Sequence, residues 1–98
     1  MEEALPLTDR LNLETARITW PELERYFAGG RVIHVVAALD LIEVAAGFAA
    51  DNSTAVQQWL STQQISKLSD DNARDWVDRQ PELWAVVVAP WVLVQERD

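Results

Sequence analysis

The residues whose types could do chemistry are His34, Asp40 and Glu43. His34 is the only histidine and sits inside the apolar run Arg31-Val32-Ile33-His34-Val35-Val36. In a chain without cysteine, a lone histidine needs carboxylates beside it to hold a metal. Asp40 and Glu43 supply the nearest pair, and Asp40 follows a strand-like segment. Open α/β sheets place ligands beyond the carboxyl ends of their strands. If Glu43 folds back toward His34, the three make an acid–base or metal pocket. The plainer reading is local: Asp40 caps a helix, Glu43 completes a capping box, and His34 bonds to a neighbour. Capping accounts for both carboxylates by type and spacing, so it is preferred, and the three residues stand as pocket candidates.

Other stretches carry less. Gly29-Gly30-Arg31 has glycines and a base, but a phosphate loop runs strand, glycines, helix. Here the order is helix, glycines, strand, which is a helix stop. The acidic stretch from Asp70 to Asp78 lacks the alternating ligands and central glycine of a calcium loop, and its own arginines offset part of the charge. It reads as a solvated helix face. No nucleophile elbow, Walker-type loop, dinucleotide fingerprint or His-x-x-Glu motif occurs. No catalytic residue, metal ligand or cofactor site is assigned, and the chain reads as a binding protein before an enzyme.

Composition removes whole classes of partner. The net charge is −8 over 98 residues, with one lysine against seven arginines. Nucleic-acid binding rests on clustered bases that neutralise phosphates, and an anionic membrane repels an acidic chain. Absent cysteine removes disulfides and thiolate chemistry and suits a reducing compartment. The start, MEEALPLTDR, has neither the basic region nor the apolar core of a signal peptide. A cytoplasmic protein is expected.

The elements that must position these residues follow from periodicity and caps. Met1 to Leu7 reads as a flexible tail ahead of one domain over residues 8–98. Thr8 opens a short helix that carries Leu11 inward and ends near Arg17. Thr19-Trp20-Pro21-Glu22 is a capping box with proline in the first turn, opening a helix that buries Leu23, Tyr26 and Phe27 and stops at Gly29-Gly30. The run around residues 31–37 is a strand covered on both faces. Asp40 then caps a nearly all-apolar helix, where Gly47 points to close packing against a neighbour. A second helix runs through Leu60 with Val56, Trp59 and Leu60 inward. Gln64 to Leu68 is a short strand. Ser69 caps a helix whose inner stripe is Ala73, Trp76, Val77 and Gln80, with Asp70–Arg74, Arg74–Asp78 and Asp75–Arg79 spaced as ion pairs.

Last comes Leu83 to Gln95, apolar throughout, with Pro90 in the middle. It is too short to span a bilayer as a helix. Proline cannot donate to a sheet ladder, so Trp84 to Ala89 is expected as a central strand and Trp91 to Gln95 as an edge or partner-facing segment. The sum is an α/β fold: a small three- to four-stranded mixed sheet packed with about five helices.

LNLETARITWPELERYFAGG, LDLIEVA, DNARDW and LWAVVVAPWVLVQ together resemble a family of small bacterial proteins known only as a domain of unknown function (number 2288). The resemblance runs from about Leu11 to Gln95. It implies a bacterial, single-domain, cytoplasmic protein and assigns no ligand or catalytic residue.

Two functions from different classes remain. The first is a non-catalytic protein-interaction or self-associating module, motivated by five tryptophans without a chemical motif, since tryptophan is enriched at interface hot spots. Its contact candidates are Trp84, Trp91 and Leu93, in the C-terminal apolar run. The second is a small-ligand-binding regulator or minor enzyme with its pocket near His34, Asp40 and Glu43.

Overall fold

A computed structural model describes residues 7–97 of the chain. Of the expected tail only Leu7 falls among them, in the first helix; the rest lies outside the described residues. In chain order the elements are α1 Leu7–Glu14, β1 Ala16–Ile18, α2 Trp20–Ala28, β2 Val32–Val35, α3 Leu41–Ala49, α4 Ser53–Ser61, β3 Ile65–Lys67, α5 Asp70–Arg79, β4 Leu83–Val88 and β5 Trp91–Glu96. The strands form one mixed sheet in the order β1-β4-β5-β2-β3. The α/β class and the five helices match the sequence reading, and the sheet has five strands where three or four were expected.

The apolar C-terminal run is a hairpin. Val88 pairs with Trp91 and Leu83 with Glu96, which leaves Ala89 and Pro90 in the turn, with a cis bond between them. Pro90 is thus excused from the ladder, as its chemistry demands. The expectation for the residues after it is corrected. β5 is no edge: it pairs antiparallel with β4 on one side and parallel with β2 on the other, Val32 opposite Val92 and Val35 opposite Gln95. It is the middle strand. The edges are β1 and β3, three residues each, and edges this short offer little to another chain.

β1 is a second correction. The expected first helix ends at Glu14, and residues 16–18 pair with Ala85, Trp84 and Leu83. Three residues show no period of their own, so only the partner strand makes them a strand.

Connectivity decides which helix covers which face. By their pairings β1 and β2 run parallel, and so do β3 and β4. Parallel strands need a crossover, and α2 and α5 supply the two. Both lie on the same face of the sheet, over a core of Leu23, Val32, Leu68, Ala73, Trp76, Leu83, Ala85, Val92 and Val94. α1, α3 and α4 lie on the opposite face, over Leu11, Ile33, Val35, Leu41, Val44, Ala45, Ile65, Val86 and Leu93. Alternation along β5 puts Leu93 on the three-helix face and Val92 and Val94 on the two-helix face, as the pleat requires.

Capping residues hold the helix ends. The Glu22 carboxylate accepts from the Thr19 hydroxyl at 2.8 Å and from its backbone N–H at 3.4 Å. Asp40, Asn52 and Ser69 accept from the backbone N–H of Ile42, Ala55 and Asn72. Gly30 takes a φ of +70° at the end of α2, a conformation that glycine adopts without steric cost.

Candidate functional site

The three pocket candidates do not converge. His34 shares its face with α5, and its ring meets Trp76 edge-on at 5.5 Å between centroids. Asp40 and Glu43 belong to the start of α3, which packs on the opposite face. Asp40 is occupied as a helix cap, and Glu43 is exposed in the first turn. Among the described residues no three histidine, cysteine or acidic side chains gather as a metal group.

The contact candidates fare differently from one another. Leu93 is fully buried inside this chain and presents no surface, because its strand is central. Trp84 and Trp91 are half-buried on the three-helix face, each covered by a cation: Arg97 lies 5.4 Å from the Trp84 ring centre and Lys67 5.8 Å from that of Trp91.

A concavity larger than the one at Asp40 lies between α2 and α5. Pro21 in the first turn and the Thr19–Glu22 bonds fix where α2 begins, which sets Trp20 at its first position. Leu23 points at the sheet and is fully buried. Trp20 and Phe27, seven residues apart, meet to one side with ring centres 5.7 Å apart. On α5, Ala73 and Trp76 reach the sheet, while Val77 is 45% exposed. The inner stripe expected on this helix is therefore split: half enters the core and Val77 and Gln80 stay outside it. α3 packs directly against α1 and α4, whereas α2 and α5 have no comparable approach. A trough results.

The trough has two connected parts. One, about 540 Å³, is lined by Trp20, Phe27, Ala73 and Val77 with Glu24, Asp70, Arg74 and Asp78 at its rim. The other, about 450 Å³, shares Trp20 and Val77 and adds Thr19, Pro21, Trp76, Gln80 and Leu83. Glu24 accepts from the Trp20 indole N–H at 3.0 Å, which holds the ring in place. Of the three expected ion pairs on α5 only Asp75–Arg79 forms, at 2.6 Å; Arg74 instead stands 3.9 Å from Asp71.

Behind the trough a polar network fixes Trp76. Its indole N–H donates to Glu96 at 3.1 Å, and Arg79 donates to the same carboxylate at 2.8 and 3.1 Å. Arg79 also grips Asp75. Hydrogen bonding from Arg79 holds the Glu96 carboxyl below its ordinary range. Burial holds the His34 imidazole below its ordinary value, against the pull of Glu96. His34 is thus a half-buried ring packed on Trp76, in surroundings that favour its neutral form.

A smaller concavity, about 510 Å³, lies where β2 and β5 end, lined by Ala37, Leu39, Asp40, Gln95, Glu96 and Arg97. Buried Gln95 donates to the carbonyls of Val36 and Leu39 and accepts from Arg97. Its polar atoms are spent on tying β5 to the loop before α3.

Sequence reasoning did not single out Trp20, Phe27 and Val77 as a site. The usable signal was Gln80, a polar residue at the end of the expected α5 stripe and exposed in the structure.

The family model described as "Protein of unknown function (DUF2288)" matches residues 6–96. No curated protein matches the chain. Among solved structures the chain is similar to the NMR solution structure of PA1075 from Pseudomonas aeruginosa, with 49% identity over 99% of this chain and 90% of that one, at a TM-score of 0.84.

Proposed function

The chain belongs to the DUF2288 family of proteins of unknown function, and from that premise we propose that it is a non-catalytic protein-interaction module whose docking surface is the trough between α2 and α5. The observation that carries this reading is the exposed apolar floor of that trough. Trp20, Phe27 and Val77 converge there from two helices that leave a gap between them. Aromatic residues in a groove with a polar rim are the usual anatomy of a docking surface. Self-association through the C-terminal strand, the other form of this reading, loses its support because β5 already has neighbours on both sides. The reading includes a bacterial cytoplasmic setting, supported by the bacterial source of the similar structure and by the absence of cysteine.

The test is photo-crosslinking in living bacteria. A photoreactive residue at position 77 should trap a discrete protein that the same residue at position 60, exposed on α4 across the sheet, does not trap. Once identified and purified, that protein should bind the chain directly. Equal trapping from both positions, or none from position 77, overturns the reading.

One observation favours a second reading, a small polar ligand. The concavity containing Asp40 lies at the carboxyl ends of two parallel strands, where α/β folds place ligands. Stabilisation by a metabolite that Asp40→Asn abolishes and Val77→Arg leaves intact selects it.

A further inference from the structure

Resting on the docking reading above, we propose that the occupant of the trough is an amphipathic helix whose apolar stripe is flanked by lysine or arginine. The shape argues for a helix. The walls are two α-helices, whose backbone bonds are satisfied internally, so an extended segment would find no ladder to join; strand addition needs a sheet edge. The larger part of the trough is open to solvent rather than enclosed, and small ligands are held by burying most of their surface. A helix about 10–12 Å across can lay one face along such a trough and touch both walls.

The sheet's other face shows the complement. It is covered by three helices, with α3 packed against both α1 and α4, whereas the two on this face have no comparable contact. A third helix from outside would complete the layer.

Charge decides the flanks. The rim carries Glu24, Asp70 and Asp78 against Arg74 alone, within a chain of net charge −8. Like charges brought together across an interface disfavour binding, and opposite charges steer encounter. A partner helix with acidic flanks is rejected on both counts, and one with basic flanks is drawn in. Trp20, Phe27 and Val77 then meet its apolar stripe.

The experiment is an NMR titration of the full isotope-labelled chain with three synthetic helices of about 15 residues, a length near the threshold for stable helix in water. One is a leucine–lysine amphipath, one its leucine–glutamate counterpart, and one an alanine–lysine helix of the same charge. The leucine–lysine helix should shift the amides of Phe27 and Val77 and the Trp20 indole N–H. It should bind at least tenfold tighter than either control, and the Asp70→Asn, Asp78→Asn double variant should narrow its margin over the glutamate helix. Equal binding by the alanine–lysine helix reduces the effect to bulk charge and overturns the proposal. Preference for the glutamate helix at the same residues overturns the basic class and leaves the docking trough standing. If no helix shifts the trough residues, the helical occupant falls, while crosslinking from position 77 still decides whether the trough docks a protein of another shape.

Discussion

On one face of the sheet, Gly47 in α3 lets the Trp59 ring of α4 come within 2.8 Å of where a side chain would begin. On the other, Val77 of α5 stands half in solvent beside Trp20 and Phe27, with nothing among the described residues across from it. Both faces are built on the same strands and the same pleat. The first is finished from within by three helices in contact; the second has its core sealed at the strand level and a trough above it. A face that closes on itself is there for stability. One that leaves aromatic residues lining a gap keeps a surface that stability did not require, and that contrast locates the candidate site.

The largest expected effect tests whether the middle of the sheet is core or interface. Leu93→Ala should cost about 2–5 kcal/mol, the range for a fully buried leucine, a large share of the ~5–15 kcal/mol typical of a domain. Urea unfolding checks it, with a midpoint lowered equally at all protein concentrations. A midpoint that rises with concentration would mean Leu93 is stabilised by a second copy and would break the assignment of β5 to the interior.

A smaller effect tests how tightly the closed face is sealed. Gly47→Ala gains up to about 1 kcal/mol of helix propensity but drives a methyl group into Trp59, and overpacking of this kind costs about 1–3 kcal/mol. The net should be a loss of about 1 kcal/mol in the parent chain. In a Trp59→Leu background the same change should stabilise. A double-mutant cycle without that reversal of sign would show that the two helices are not in the contact described.

Acid should act on the trough face through His34 and Glu96. Glu96 is depressed by Arg79, so its contribution is present above the unfolded carboxyl value near 4.5 and is lost as pH falls through the lower folded value. His34 is depressed by burial, so the unfolded chain takes up a proton first, and stability falls as pH drops below about 6.5. Glu96→Gln should therefore cost about 0.2–1 kcal/mol at pH 7, the scale of a partly exposed pair, and progressively less as pH falls through the lowered folded value. His34→Gln should flatten the decline between pH 7 and 5. Unfolding curves at several pH values check both, and an unchanged slope in the His34 variant would mean that ring is not buried on Trp76 in solution.

Much of this architecture could be read from the chain, because local chemistry dictated it. Thr19 with Glu22, Asp40 and Ser69 mark helix starts by side chains that have no better use. Gly29-Gly30 marks a stop, and Val32–Val35 shows by apolar residues of both parities that it is covered twice. Gly47 pointed to a close neighbour, and Trp59 is that neighbour. What stayed hidden depends on pairing between distant segments. Ala16–Ile18 is a strand only because Leu83–Ala85 lies beside it. β5 is central only because β2 joins its far side, and nothing between Trp91 and Gln95 encodes which strand comes next. The placing of His34, Asp40 and Glu43 was hidden for the same reason: nearness in sequence does not say that His34 faces α5 while Glu43 starts a helix on the other face. The trough was half legible. The stripe Ala73, Trp76, Val77 and Gln80 was seen, but Val77 was assigned to the core, because periodicity gives a direction around the helix and not the width of what lies beneath.

Val77 therefore carries the smallest stability effect and the largest functional one. Val77→Arg removes a side chain that the fold does not bury, at an exposed helix position where arginine has the better propensity. Stability should change by less than about 0.5 kcal/mol, the range for surface substitutions, with an unchanged fold by NMR. The same change puts a charged group into the apolar floor and a positive charge where a basic helix is expected to lie. Binding of the trapped partner, and of the leucine–lysine helix, should weaken at least tenfold. A leucine at this position in a closed face would show the opposite order, with a large loss of stability. If Val77→Arg proves costly to the fold, the trough is closed in solution by rearrangement of α2 and α5, and the two faces are alike after all. If it costs the fold nothing and leaves binding unchanged, the gap between the helices is an unfilled corner of the packing, and the docking surface lies elsewhere.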